Sequence, residues 1–158
     1  MTATTTDENA WREQPRWQAL EVQTKMLTPN FSRSEFACNG IACCAHSAPI
    51  TLQLVHGLED VRALLNALPQ YAHNAKGVPM NVNSGFRCIR HNRNVGSRDT
   101  SQHTLGNAAD IALPAGITID EFAALFEQVE CFAKGGIGKY NTFIHADVRN
   151  CTARWDYR

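Results

Sequence analysis

The chain has 158 residues, 44% of them hydrophobic and 19% charged, with 15 basic and 15 acidic side chains. That length holds one domain with a real core and excludes two large ones, and the composition excludes a disordered chain. The formal net charge of zero leaves no global field for nucleic acid, and no apolar run approaches the roughly 20 residues that span a bilayer.

Residues 1–26 read as a polar N-terminal arm, in which Trp11, Trp17, Leu20 and Val22 could form a short helix against the body. The arm lacks the positive flank and apolar centre of a secretion signal. The expectation is therefore a chain without a signal peptide, cytoplasmic unless something releases it, with residues 27–158 as its one domain. In "NFSRSEF", Ser32 followed by Glu35 is a capping box. "CNGIACCAHSAP" reads as a loop. Leu54, Leu58, Val61, Leu65 and Leu68 then recur at helical spacing over residues 50–68, with Thr51 as cap and Pro69 as stop.

Val78, Met80 and Val82 alternate with small or polar residues, which predicts a strand running into a turn at Ser84-Gly85. "RCIRHNRNVGSRDT" reads as a polar loop, and "AADIAL" as a short strand closed by Pro114-Ala115-Gly116. Over residues 118–132 a second helix is expected, with a Thr118/Glu121 box and a buried stripe of Phe122, Leu125, Phe126 and Val129. "KGGIGKYN" reads as a glycine-rich turn, "TFIHADVR" as the last strand, and the rest as a polar tail carrying Trp155. The order predicts an α+β fold, a small single domain with a mostly antiparallel sheet flanked by helices.

Side chains alternate faces along a strand. In "FIHADVR", Ile144, Ala146 and Val148 make an apolar face, while Phe143, His145, Asp147 and Arg149 share the other, as on the floor of a site. A solvated face is the plainer alternative. Upstream, "SQHTLGNAADI" holds His103 and, seven residues on, Asp110. Gly106 between them lets the loop curl, and Ala108 and Ala109 leave room around the acid. His103, Asp110 and His145 would give two imidazoles and a carboxylate, a ligand set that zinc accepts; spacing alone does not decide for a metal.

The six cysteines, Cys38, Cys43, Cys44, Cys88, Cys131 and Cys151, could form disulfides or stay reduced thiols. Cys38, Cys43, Cys44 and His46 could instead bind a structural zinc, but their spacing does not match paired knuckles, and disulfides or buried thiols are the preferred reading. His56 reads as a surface or packed residue, and His73 and His91 as loop histidines. The arginines from Arg87 to Arg98 read as solvated or drawn to anionic polymers, with no nucleic acid as partner.

"SGFRCIRHN", then "SQHTLGNAADI", then "GGIGKYNTFIHADVR" resembles the M15 family of zinc D-Ala-D-Ala carboxypeptidases and peptidoglycan endopeptidases. The likeness runs from about Leu27 to Trp155, and "NFSRSEFAC" is similar to the lead-in of the family's bacterial and phage branch. The resemblance implies the hedgehog/DD-peptidase fold and one catalytic Zn2+ on His103, Asp110 and His145. It also implies Arg87 at the substrate carbonyl or carboxylate, and Ser101 beside the bound peptide. Many relatives carry a catalytic acid three residues before the last ligand, where this chain has Thr142. Asp147, on the face of His145, is the acid expected to act as base, with holding Arg149 or orienting a ligand as its alternative role. The implied function is a metallopeptidase acting on bacterial peptidoglycan, in the manner of a phage or prophage endolysin, as a monomer without membrane insertion. The alternative is a non-catalytic, zinc-stabilised module of the same fold that binds cell wall or protein.

Overall fold

The computed structural model describes residues 26–40, 43–44 and 49–158. The expected arm over residues 1–26, apart from Met26, lies outside the described residues, as does His46.

Five strands form one sheet: β1 (Val82–Ser84), β2 (Ala108–Ala112), β3 (Gly136–Lys139), β4 (Phe143–Asp147) and β5 (Ala153–Asp156), in the order β1-β2-β4-β3-β5. All neighbours are antiparallel except β3 and β5, which run parallel. The helices α1 (Leu52–Asn66), α2 (Ile89–Asn94), α3 (Ile119–Glu127) and α4 (Glu130–Ala133) complete the α+β domain. Among the described residues no helix is long and apolar enough to cross a membrane.

The core lies between one sheet face and the helices. Helix α1 turns Leu54, Leu58, Val61 and Leu65 inward, as the helical spacing predicts, against Phe122, Phe126 and Phe132. From the sheet come Ala109 and Ile111 of β2, Ile137 of β3, and Ile144 and Ala146 of β4. Each large apolar side chain so buried contributes about 1.5–3 kcal/mol. Thr118 and Glu121 close their box at the start of α3, with Thr118 N donating to Glu121 Oε2 at 2.9 Å and Glu121 N donating to Thr118 Oγ1 at 3.2 Å. At the start of α1, Thr51 instead turns its hydroxyl to the carbonyl of Gly106.

Five elements depart from the sequence expectation. The predicted strand over residues 78–82 forms later, at Val82–Ser84. The predicted polar loop after Arg87 contains α2, whose one buried residue is the polar Asn92, so no apolar stripe announces it. The helix over residues 118–132 breaks at Gln128–Val129 into α3 and α4. The "glycine-rich turn" is strand β3, and the "polar tail" is β5 beside it. Gly136 and Gly138 serve close approach there rather than turning: a Cβ on Gly136 would strike the Asp147 carboxylate, and one on Gly138 the Trp155 indole.

Candidate metal centre

Register sets the site. Across the sheet, Ser84 pairs with Asp110, Asp110 with His145, His145 with Gly138, and Gly138 with Trp155. Paired Cα atoms of antiparallel strands lie only about 4.5–5.5 Å apart, so Asp110 and His145 meet by strand pairing alone. His103 arrives from outside the sheet, on a 3-10 turn (Gln102–Leu105) capped by Ser101, whose hydroxyl accepts from His103 N at 3.3 Å. The turn ends at Gly106 with φ 71°, and a Cβ there would also collide with the Pro49 carbonyl. Glycine thus satisfies both the left-handed backbone and the close packing.

Three atoms converge. His103 Nε2 lies 3.2 Å from Asp110 Oδ1 and 3.1 Å from His145 Nδ1, and His145 Nδ1 lies 3.0 Å from Asp110 Oδ1. All three residues are buried. Their outer atoms explain the orientation. His103 Nδ1 faces the Gly85 carbonyl at 2.6 Å; a carbonyl only accepts, so Nδ1 donates and Nε2 keeps its lone pair for the cluster. His145 Nε2 donates to Asp147 Oδ2 at 2.9 Å, which turns the Nδ1 lone pair inward. Arg87 NH2 donates to Asp110 Oδ2 at 2.6 Å, and Arg87 Nε to Ser84 Oγ at 2.9 Å.

Three acceptors at this separation repel one another unless a cation sits among them. Burial alone would lower the His145 pKa, yet the Asp110 and Asp147 carboxylates outweigh it and raise it. Burial likewise pushes Asp110 up, but His103 and His145 hold its carboxyl well below the usual range. The donor set fits a divalent ion: nitrogen and oxygen ligands at about 2.0–2.2 Å in tetrahedral zinc stand about 3.3–3.5 Å from one another, close to the separations here.

Asp147 lies on the face of His145, as strand alternation predicts, but does not reach the converging atoms. It is fully buried behind the imidazole. Its Oδ1 accepts from Gly136 N, Arg149 N and Arg149 Nε, and its Oδ2 from His145 Nε2 and Arg149 NH2. Burial raises its pKa, while His145 and Arg149 more than offset this and keep it ionised. A carboxylate with both oxygens engaged, on the far side of the ring, is badly placed to take a proton from a water at the cluster. In this geometry Asp147 holds Arg149 and orients the His145 imidazole, the alternative role read from the sequence.

A cleft of about 890 Å³ opens over the cluster. Arg87 and Ser101 line it, as does His91, read from sequence as a loop histidine and found on α2. Sequence reasoning missed the opposite wall. Tyr140 stacks on Phe143 at 4.2 Å between ring centroids, Trp155 Nε1 donates to Tyr140 OH at 3.2 Å, and the Trp155 ring lies 5.1 Å from that of His145. Arg149 sits over the indole at 5.6 Å, a cation–π contact. Tyr140 in "GIGKY" was the available signal, and Trp155 was hidden in a segment read as a tail.

The cysteines expected as disulfides or thiols are all thiols. Cys38, Cys43 and Cys44 do come together, with Cys88 of the α2 N-cap beside them.

A family model described as Peptidase M15 matches residues 29–147, spanning the converging histidines and both aspartates. No curated protein matches the chain.

Proposed function

Since the chain belongs to the M15 peptidase family, we propose that it is a zinc metallopeptidase hydrolysing a peptide bond of bacterial peptidoglycan, as a D-Ala-D-Ala carboxypeptidase or a stem or cross-link endopeptidase of the endolysin kind. The carrying observation is the convergence of His103 Nε2, Asp110 Oδ1 and His145 Nδ1 within 3.0–3.2 Å, each with its outer atom held by a partner. Bound there, zinc supplies a Lewis acid for the scissile carbonyl and an acidified water at neutral pH.

The chain's own groups do the positioning. Gly85 and Asp147 fix the two imidazole tautomers, and Arg87 steadies Asp110. The guanidinium edge of Arg87 left over from Ser84 and Asp110 binds a peptide carbonyl or carboxylate in the cleft. Ser101 accepts from His103 N, so its own O–H is left to donate to the bound peptide. Trp155, Tyr140 and Phe143 give the substrate a flat apolar wall beside His145.

One observation favours the second reading, a non-catalytic zinc-stabilised binding module. Among the described residues lining the cleft Asp110 is the one carboxylate, and the proposed metal would take it up. Digestion of purified cell wall, followed by mass spectrometry of the fragments, separates the two. The peptidase yields fragments whose masses name the bond, loses them with a chelator and regains them with zinc, and His103→Ala is inert. Wall that stays intact with the zinc-loaded protein assigns the binding module instead.

A further inference from the structure

The second cluster of ligating groups lies apart from the His/Asp/His centre. The sulfurs of Cys38, Cys43, Cys44 and Cys88 lie within 4.8 Å of one another. Cys38 Sγ is 3.5 Å from Cys43 Sγ, and Cys43 Sγ is 3.7 Å from Cys44 Sγ. A disulfide holds its sulfurs at about 2.0 Å, far closer than these. Four thiolates bound tetrahedrally at about 2.3 Å from zinc stand about 3.8 Å apart, near the 3.5 and 3.7 Å of these two pairs and inside the 4.8 Å that bounds all four. We propose that Cys38, Cys43, Cys44 and Cys88 hold a structural zinc ion, a second metal centre independent of the first and of whatever reaction that one performs.

In the sequence, Cys38, Cys43, Cys44 and His46 did not match the spacing of paired knuckles, which argued against a shared ion; the structure puts a different residue beside the three sulfurs. That residue is Cys88, 44 residues downstream of Cys44. Donors suited to thiolates surround the sulfurs: His91 N donates to Cys88 Sγ at 3.4 Å, and His91 Nδ1 lies 3.3 Å from Cys38 Sγ. Hydrogen bonds to coordinated atoms are a usual feature of metal sites.

The local structure needs such a fastening. Helix α2 has six residues and buries only Asn92, too little to stand by itself. The loop carrying Cys43 and Cys44 has no residue in the main apolar cluster among those described. A closed four-sulfur site would join this loop to the N-terminus of α2. Cys88 directly follows Arg87, and His91, Val95 and Ser97 line the cleft, so the same fastening holds one wall of the metal centre.

The test is a count of metals. Purified full-length protein analysed by elemental mass spectrometry should carry two zinc ions per chain. His103→Ala should carry one, and its cobalt-substituted form should show the intense near-ultraviolet thiolate-to-cobalt band. Cys38→Ser/Cys88→Ser should lose that band and that ion. Should the cysteine variant fail to fold, mercurial titration of the His103→Ala protein replaces it, and one zinc is expected to be released as the four thiols react. A single ion in the unaltered protein with none in His103→Ala overturns the proposal. So does an intact mass showing a disulfide among these four residues.

Discussion

Asp147→Asn separates support from catalysis. The substitution keeps volume in a fully buried position but exchanges one acceptor oxygen for an NH2 donor. In the protein both oxygens accept, from Gly136 N, the Arg149 backbone and guanidinium, and His145 Nε2. An asparagine can keep the Gly136 and Arg149 backbone bonds through its oxygen. Its NH2 then faces the Arg149 guanidinium and His145 Nε2, which are donors themselves. The imidazole relieves the conflict by moving its proton to Nδ1, and that proton then points at Asp110 Oδ1, where the proposed metal would bind.

Loss of a partner that orients a ligating histidine typically costs about 10–100-fold in metal affinity, or about 1.4–2.8 kcal/mol. The assay is zinc titration against a competing chelator, followed by turnover of a peptide substrate at saturating zinc. The expected result is a zinc Kd raised about 10–100-fold with kcat restored to within a few-fold once the site is filled. A general base would behave otherwise, since its removal costs about 10²–10⁴ in rate. Unchanged zinc affinity with a kcat loss of that size would refute the orienting role and return Asp147 to the chemistry.

Gly138→Ala drives a methyl into the Trp155 indole; overpacking of this kind costs about 1–3 kcal/mol, or about 2–12 °C in Tm at this size, and the penalty should largely vanish in Gly138→Ala/Trp155→Ala. Arg87→Lys cannot span Ser84 Oγ and Asp110 Oδ2 together, so chelator competition should show weaker zinc binding and peptide kinetics a lower kcat/KM. In the metal-free protein, His145 is raised above its ordinary 6.5. Its contribution is fully present below that value and lost as pH rises through the folded pKa. The depressed Asp110 and Asp147 contribute above 3.8 and are lost as pH falls through their folded values. Zinc competes with the His145 proton, so the Tm gap between zinc-loaded and metal-free protein should widen as pH rises from about 5 to 8; a gap that narrows over that range contradicts the competition.

The convergence of His103, Asp110 and His145 was legible in part because residue type and strand alternation carry it. His145 and Ile144 had to face opposite ways, and the apolar face of β4 told which way the histidine pointed. Alternation says which face a residue takes but not what lies over it. Hence alternation put Asp147 on the face of His145 but could not show that its oxygens are taken up by Arg149, Gly136 and the outer nitrogen of that ring. Strand β3 and strand β5 were illegible for a non-local reason. Gly136 and Gly138 look like turn residues because the side chains that require them small, Asp147 and Trp155, come from other strands. Helix α2 buries one polar residue, and the sulfurs beside its N-cap Cys88 come from a segment far upstream; no window of local sequence contains that relationship.

Two transverse rows of the sheet, successive on one face with one row of opposite direction between them, divide the labour. The first runs Ser84, Asp110, His145, Gly138, Trp155; the second runs Ala108, Asp147, Gly136, Ala153. The first carries Asp110, His145 and the indole. The second carries the acid that holds His145 from behind, between residues small enough to admit it. Because side-chain direction alternates with period two, a slip of one residue in β4 would bury Ile144 in the cleft and send His145 into the core. The apolar set of Ile111, Ile137 and Ile144 on the opposite face forbids that slip. The hydrophobic core thus enforces the register, and the register places the imidazole and carboxylate within reach of one ion before any ion arrives.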